Sequence, residues 1–265
     1  MLVIGERINT SRKHIDEAVE KRDTAFIQED VKAQVEAGAQ IIDVNSGSRI
    51  GSELEDLIWL IDTIQEVVTV SLSLDSSDPQ CLLETVERVK EPPMLNSTTA
   101  EEKRFERMVP VIQKRECDVV ALCIDDRGIP KTADQVMENA KKIVEDLEKI
   151  GVNRDRIYLD PLIQAVSTDT EAGLKALEAI EGIKRELEGV NTVCGLSNIS
   201  FALPKRPVLN RAFLTLAMRA GLSAVIIDPL DKRIMGNLRA TEVLLGQDEY
   251  CIEYIKAFRE GRLED

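Results

Sequence analysis

The sequence predicts a single-domain α/β protein, a closed (β/α)8 barrel of the TIM type, and three observations carry that expectation. Short apolar, β-branched runs alternate with longer segments of helical period, eight such runs occur in the 265 residues, and each run turns polar at its end. Strict alternation implies parallel strands joined by right-handed crossovers. A chain of 265 residues is the usual size of one such barrel. Eight units in so short a chain favour closure over an open sheet.

The predicted strands are residues 2–8, 40–44, 68–74, 93–95, 119–124, 157–159, 192–196 and 224–227. Between them, apolar residues recur at helical spacing. One set is Leu54, Leu57, Ile58, Ile61, Ile64 and Val68; a second is Val136, Ala140, Ile143, Leu147 and Ile150; a third is Leu174, Leu177, Ile180 and Ile183. Thr132 and Gln135 have capping-box spacing, and Asp78 precedes Pro79 at a first helical position. Thr98, with Glu101, also reads as a helix cap. Gly38, Gly151 and Gly221 each separate a helical run from the next strand. No linker or low-complexity tract divides the chain, so one domain is expected over 1–265, with 231–265 as one or two terminal helices.

Composition removes several kinds of chemistry. Hydrophobic residues are 43% and charged residues 31%, the balance of an ordinary globular protein. No apolar run reaches membrane-spanning length, and the first residues lack a basic start and a small-residue cleavage site, so a cytoplasmic location is expected. The net charge of −14 opposes phosphate backbones and anionic lipid, so neither nucleic acid nor membrane is an expected partner. The five cysteines form no C-x-x-C pair and read as reduced, mostly buried thiols. The only histidine, His14, lies at the polar start of a helix and reads as solvated. A Ser-His-Asp relay or a His-based metal site is therefore not expected, and no metal is assigned to this chain.

The strand ends carry the polar residues. They are Glu6, Arg7 and Asn9; Asp43 and Asn45; Asp75; Asn96 and Ser97; Asp125 and Asp126; Asp160; Ser197 and Asn198; and Asp228. In a parallel barrel these ends converge on the mouth where barrel enzymes place their sites. Any one of them could simply cap the following helix or form an Asx turn. All eight ends together are harder to explain that way. The ring is rich in carboxylates and carboxamides, and it lacks a lysine for Schiff-base chemistry and a Gly-rich loop for phosphate. An Asp accepts a pair of N–H groups, and an Asn supplies one donor and one acceptor. Such a set suits a flat polar heterocycle. A pterin fits, and so does a guanidine-bearing or purine-like ring.

The stretches IGERIN, IIDVN, LSLDSSDP, MLNSTTAE, DDRGIPK, YLDPLI and GLSNISFALPKRPVLNRAFL are collinear with one family. The chain resembles the methyltetrahydrofolate:corrinoid protein methyltransferases, the pterin-binding barrel also found as the folate domain of cobalamin-dependent methionine synthase. The resemblance implies a role in one-carbon metabolism, moving a methyl group between N5 of 5-methyltetrahydrofolate and the cobalt of a corrinoid (cobalamin) carried by a partner protein. It implies that Asp75, Asn96 and Asp160 hold the pterin ring and that Asn198 reaches N5. Arg206 matches a family arginine near the folate, and its charge suits the anionic p-aminobenzoylglutamate tail. Asp43, Asn45 and Ser197 are possible supporting residues. The family's frequent homodimers imply a homodimer here. The chain departs from the family at Ser46-Gly47-Ser48-Arg49 and in the loop 201–205, segments expected to meet the protein partner.

A tertiary amine is a poor leaving group, so charge developing at N5 is the term to lower. A neutral carboxamide is not a strong acid. The expectation is therefore that Asn198 stabilises the protonated N5 form, with the proton arriving through water near Asp160. Two alternatives stand beside this reading. One is a dihydropteroate synthase-like pterin transferase, which would want a Gly-Gly-Glu-Ser-type second loop that Asn45-Ser46-Gly47-Ser48 lacks. The other is a non-catalytic folate-binding subunit.

Overall fold

Eight parallel strands pair in sequence order and close on themselves. In the computed structural model, which describes residues 1–264, these are β1 (Leu2–Asn9), β2 (Ile41–Asn45), β3 (Ser71–Asp75), β4 (Met94–Thr99), β5 (Asp118–Leu122), β6 (Ile157–Asp160), β7 (Asn191–Gly195) and β8 (Ala224–Ile227). β1 closes the ring on β8 in register from Leu2↔Ala224 to Gly5↔Ile227. The helices are α1 (Lys13–Glu20), α2 (Thr24–Glu36), α3 (Glu53–Gln65), α4 (Pro79–Thr85), α5 (Glu102–Ile112), α6 (Ala133–Lys149), α7 (Ala172–Glu186), α8 (Arg206–Ala220), α9 (Lys232–Leu244) and α10 (Ile252–Arg259). The last two lie in the predicted terminal segment, whose final residue, Asp265, is outside the described residues.

All eight predicted strands are present, with ends that differ for local reasons. β3 starts at Ser71 because Val67 and Val68 still donate back to the Ile64 carbonyl at the end of α3. β4 runs on through Asn96–Thr99, since ladder hydrogen bonds use the backbone and do not require apolar side chains. β5 ends at Leu122 because the Ile124 amide turns back to the Leu122 carbonyl at 2.8 Å.

Strand alternation sorts the side chains into two sets. Ile42, Val44, Leu72, Leu74, Leu95, Val119, Ala121 and Leu159 pack in one buried cluster with helical residues such as Leu57, Ile61, Ile143 and Leu147. Ile4, Ile41, Met94, Val120, Val193 and Ala224 form a separate buried cluster contributed by strands alone, the plug inside the barrel. Two residues further along the same face lie Glu6, Asp43 and Asn96. The polar mouth therefore sits directly above an apolar floor.

Helix ends follow the sequence with one exception. Thr132 accepts from the Gln135 amide at 3.2 Å, and Asp78 accepts from the Gln80 amide at 3.1 Å. Gly38, Gly151 and Gly221 take φ of +111°, +93° and +113°, the left-handed stop that spares a Cβ clash. Thr98, however, is not a cap. It lies within β4, fully buried, and its Oγ1 finds no hydrogen-bond partner, whereas Thr99 Oγ1 accepts from the Glu101 amide at 3.2 Å. The polar MLNSTT run was too long for a cap because the strand itself continues through it. Leu174 is also misassigned to the apolar face, being 64% exposed. α7 buries Ala172, Ala176, Ala179, Ile180 and Ile183 instead, so its small residues take the inner stripe. Cys81, Cys117, Cys123 and Cys194 are buried free thiols, and Cys251 is half-buried.

Gly5 of β1 packs directly against the Gln34 side chain of α2. A Cβ there would overlap Gln34 Oε1 and sit 3.3 Å from Ala39 Cβ. Gln34 is buried and tied through Nε2 to Asp30 at 2.9 Å, so it has little room to yield. Gly5→Ala should destabilise the fold by about 1–3 kcal/mol in urea unfolding. Gly173→Ala, whose new Cβ would meet nothing nearer than 3.8 Å, should be neutral or stabilising. Equal midpoints for Gly5→Ala and wild type would show that this contact relaxes freely.

Candidate active site at the barrel mouth

Register places the polar strand ends side by side. Asp43 pairs with Ser73 and Asn45 with Asp75 across β2 and β3, and Asp75 pairs with Asn96 across β3 and β4. Directly opposed side chains are close enough to bond. Asn45 Nδ2 donates to Asp75 Oδ2 at 2.7 Å, Ser73 Oγ donates to Asp43 Oδ1 at 2.7 Å, and Asn96 Nδ2 donates to the same Asp43 oxygen at 3.3 Å. A cavity of about 260 Å³ opens on this group and is lined by Glu6, Asn9, Ser11, Arg12, Asp43, Asp75, Asn96 and Ile226.

Several hydrogen-bonding positions remain without a protein partner. Asp75 Oδ1 receives no donor among the described residues, and Asn96 keeps its Oδ1 and its second N–H. Asp160, at the end of β6, accepts from the Leu162 amide through Oδ1 at 2.7 Å and likewise keeps Oδ2. These groups can accept from ring N–H donors and offer one donor and one acceptor to a ring amide.

Enclosure by the barrel wall controls the charges. Burial pushes Asp160 up to about 6, opposed by the Leu162 amide. Burial raises Glu6 to about 7, with the Arg12 guanidinium opposing and the Asp228 carboxylate adding to the rise. Asp43 lies well above the ordinary carboxylate range, first from burial and then from the neighbouring Asp75, with the Ser73 and Asn96 bonds opposing. Burial raises Asp75 as well, opposed by the Asn45 bond, with the Glu53 carboxylate adding to the rise.

Asn198 sits one turn beyond β7, in a 3-10 turn spanning Leu196–Ser200. A Cβ at Gly195 would lie 3.3 Å from Asn198 Nδ2, so the carboxamide folds back over the strand end. It is exposed. Arg206 steadies this turn, donating through Nη2 to the Ser197 carbonyl at 2.6 Å and through Nε to Ser200 Oγ at 3.1 Å. Ser200 Oγ in turn donates to Asn210 Oδ1 at 2.6 Å. Thus Asp43, Asp75 and Asn96 share one cavity lining with Glu6, Asn45 supports it through Asp75, and Asp160, Ser197, Asn198 and Arg206 belong to other segments of the mouth.

The remaining strand-end residues are structural. Asp125 holds its own Asx turn and Arg127, and Asp126 accepts from Glu102 at the start of α5. Asp228 is saturated by Arg7, Arg12 and the Leu230 amide. Arg7 forks onto Asp30 of α2, and Arg12 also reaches Glu6 at 3.3 Å. Sequence reasoning missed Arg12 and Asp30, which sit outside the strands. A larger cavity of about 390 Å³ lies between the loops after β5 and β6, lined mainly by Ile129, Pro130, Val136, Pro161, Leu162 and Ala172. Lys175, on its wall, is already paired with Asp169 at 2.8 Å, so the unpaired carboxylate and carboxamide chemistry stays at the barrel mouth. Among the described residues, no helix is long and apolar enough to cross a membrane, and no three His, Cys, Asp or Glu side chains gather as a metal site.

Residues 5–228 match the family model described as pterin binding enzyme. A methylcorrinoid:tetrahydrofolate methyltransferase of Eubacterium limosum is 37% identical over 265 residues, covering 99% of this chain and 98% of that protein. The methionine synthase of Mycobacterium tuberculosis is 32% identical over 242 residues, 86% of this chain, which spans 20% of that longer protein. A dihydropteroate synthase structure from Clostridium difficile, obtained in the presence of pteroic acid, superposes with a TM-score of 0.70 at 22% identity over 92% of this chain and 96% of that one. That of Xanthomonas albilineans in complex with 7,8-dihydropteroate gives 0.67 at 20% identity over 94% and 93%. At these identities the two structures speak for the fold.

The raised acids give a signed pH dependence. Asp160 and Glu6 have folded pKa values above their unfolded ones, so the folded state binds more protons between about pH 4 and 7. Their stabilising contribution is complete below that window and is lost as pH rises through it. Asp160→Asn keeps the acceptor for Leu162 and removes the titration. It should shrink the drop in unfolding free energy between pH 5 and pH 8 by on the order of 1–2 kcal/mol, allowing for screening at the open mouth. Parallel pH profiles for variant and wild type would contradict the assignment.

Proposed function

The chain belongs to the pterin-binding enzymes, in their methyltetrahydrofolate–corrinoid methyltransferase branch, and from that premise we propose that it moves a methyl group between N5 of 5-methyltetrahydrofolate and the cobalt of a corrinoid held by a partner protein. The observation that carries this reading is the 37% identity to a methylcorrinoid:tetrahydrofolate methyltransferase along 99% of the chain. The chemistry of the mouth supports it. A pterin edge displays an amide and adjacent N–H donors, and the partnerless oxygens of Asp75 and Asp160 with the carboxamide of Asn96 complement such an edge. Kinship at full length favours methyl transfer over dihydropteroate synthesis, for which the likeness is at the level of fold.

The partner's corrinoid would supply the nucleophile when reduced, or the methyl donor in the reverse direction. This chain's residues orient the pterin and manage the proton at N5. Asp75, Asn96 and Asp160 fix the ring, so that N5 faces the open mouth. Asn198, exposed and making no hydrogen bond through its carboxamide to the protein among the described residues, is free to bond N5. As a neutral group it stabilises the N–H of protonated N5 rather than donating a proton itself. Asp160, at about 6, lies in the range where a carboxyl group can hand over a proton near neutrality through water. Arg206 serves Asn198 by holding its turn, and its remaining charge suits the anionic folate tail.

Mixing the protein with methyltetrahydrofolate and cob(I)alamin, free or on a corrinoid protein, should discharge the cob(I)alamin absorption. A stable spectrum alongside measurable folate binding would instead identify a binding subunit. Asn198→Ala should lower kcat about 100-fold with little change in folate affinity. Asp75→Ala and Asp160→Ala should each weaken folate binding by about 1–3 kcal/mol in titrations. Full turnover in the first variant, or wild-type affinity in the other two, would remove those residues from their roles.

The expected homodimer also belongs to this reading. It is supported by exposed Leu174 on α7 and exposed Val208 and Leu216 on the adjacent α8. Sedimentation at micromolar concentration should show a dimer that Leu216→Glu weakens; a monomeric wild type would end the idea.

A further inference from the structure

Asp75 and Asn96 are register partners on neighbouring strands, and a single arginine ties together the chain segments that leave those strands. Ser76 and Ser77 follow Asp75, and Ser97 follows Asn96. Arg104, in the first turn of α5, reaches back over both segments. Its Nη2 donates to the Ser97 carbonyl at 2.9 Å and to the Ser76 carbonyl at 3.3 Å, and its Nη1 donates to the Ser77 carbonyl. One further bond joins the segments directly, from the Ser76 amide to the Asn96 carbonyl at 3.1 Å.

The partners of this arginine are unusual for a cation. Arg104 is half-buried, and among the described residues its guanidinium meets backbone carbonyls and no carboxylate. Burial, and then the nearby Arg107 charge, press its pKa below the ordinary arginine value. The charges of Glu101 and Asp78 oppose this fall, but neither acid bonds the guanidinium: Glu101 accepts from Thr99 Oγ1 at 3.0 Å, and Asp78 is taken by Arg107 at 3.2 Å. A cation placed half out of water is costly, and the carbonyls offset that only if their geometry is held. A guanidinium is suited to this because its planar fork can bond carbonyls from two segments at once, which an ammonium on a flexible stem does poorly. The start of α5 is tied instead to Thr99 and to Asp126 after β5, and neither bond reaches the segment leaving β3.

We propose that Arg104 is a positioning residue for the ring clamp, locking the β3 and β4 exits together so that the Asp75 and Asn96 side chains address one ligand ring at the same time. This rests on the reading of Asp75 and Asn96 as ring-holding groups, and no contact between Arg104 and the ligand is required.

The test uses the full chain with Arg104→Ala and Arg104→Lys, read by amide exchange and by tetrahydrofolate titration. Arg104→Ala should speed exchange at 76–78 and 97–100 and leave the other strand ends unchanged. It should weaken tetrahydrofolate binding about 10-fold or more, with Arg104→Lys intermediate. In an Asn96→Ala background the same substitution should cost less than threefold, because one of the two groups it aligns is gone. A purely structural role predicts equal losses in both backgrounds, and that result overturns the proposal. Unchanged exchange at both segments also overturns it. Should Arg104→Ala fail to fold, Arg104→Lys, which keeps the charge and the stem, decides by the same comparisons. Wild-type protein that bound no tetrahydrofolate would defeat the functional reading separately, with the exchange data still judging Arg104.

Discussion

Side chains on a strand alternate between its two faces, and closing the sheet turns one of those faces into an interior with no exit except its ends. In this chain the interior is apolar from Ile4, Ile41, Met94, Val120, Val193 and Ala224, which fill it. The next inward positions are Glu6, Asp43 and Asn96, with Asp75 alongside in register. These side chains can turn neither outward into the helix layer nor down into the plug. Their polar neighbours are one another, the strand residues Asn45 and Ser73, and Arg12 at the rim. The carboxylate–carboxamide ring is thus a consequence of where the alternation stops being apolar.

The mouth divides into two electrostatic halves. Around β1 and β8 the acids have cationic partners: Asp228 is shared by Arg7 and Arg12, Asp30 takes the fork of Arg7, and Glu6 meets Arg12. Around β2, β3 and β4 the acids have neutral donors, Asn45, Ser73 and Asn96. Burial raises the acids of both halves, Glu6 included, and Asp43 is raised further by the neighbouring Asp75. In the first half, Asp228 and Asp30 have their carboxylates filled by arginine and neighbouring donors. The second keeps Asp75 Oδ1 and the Asn96 carbonyl oxygen free, and such a set would gain from a ligand that brings its own N–H donors.

The readable part of the site was the identity and order of the strand-end residues. Asp75, Asn96 and Asp160 each end a β-branched or aliphatic run, so their place at the mouth follows from strand direction alone. Other features came from contacts between segments far apart in the chain. Arg12 and Arg104 sit on helices or loops whose sequence looks like ordinary solvated surface, and only packing shows that one reaches Glu6 and the other the carbonyls behind Asp75 and Asn96. Thr98 was misread because a polar residue before a helix and a polar residue still inside a strand look alike when side-chain pattern is the only guide.

By itself the sequence determined the barrel, its eight strands, the polarity of its mouth and the family, because periodicity, chain direction and short motifs are local properties of the chain. Tertiary structure alone decided which acids share a cavity, which are neutralised by arginine and which keep an oxygen free. It also set Asn198 a turn beyond β7 on a segment pinned by Arg206. The reason is physical: burial, register and ion pairing depend on distances between segments, and those distances exist only once the barrel has closed.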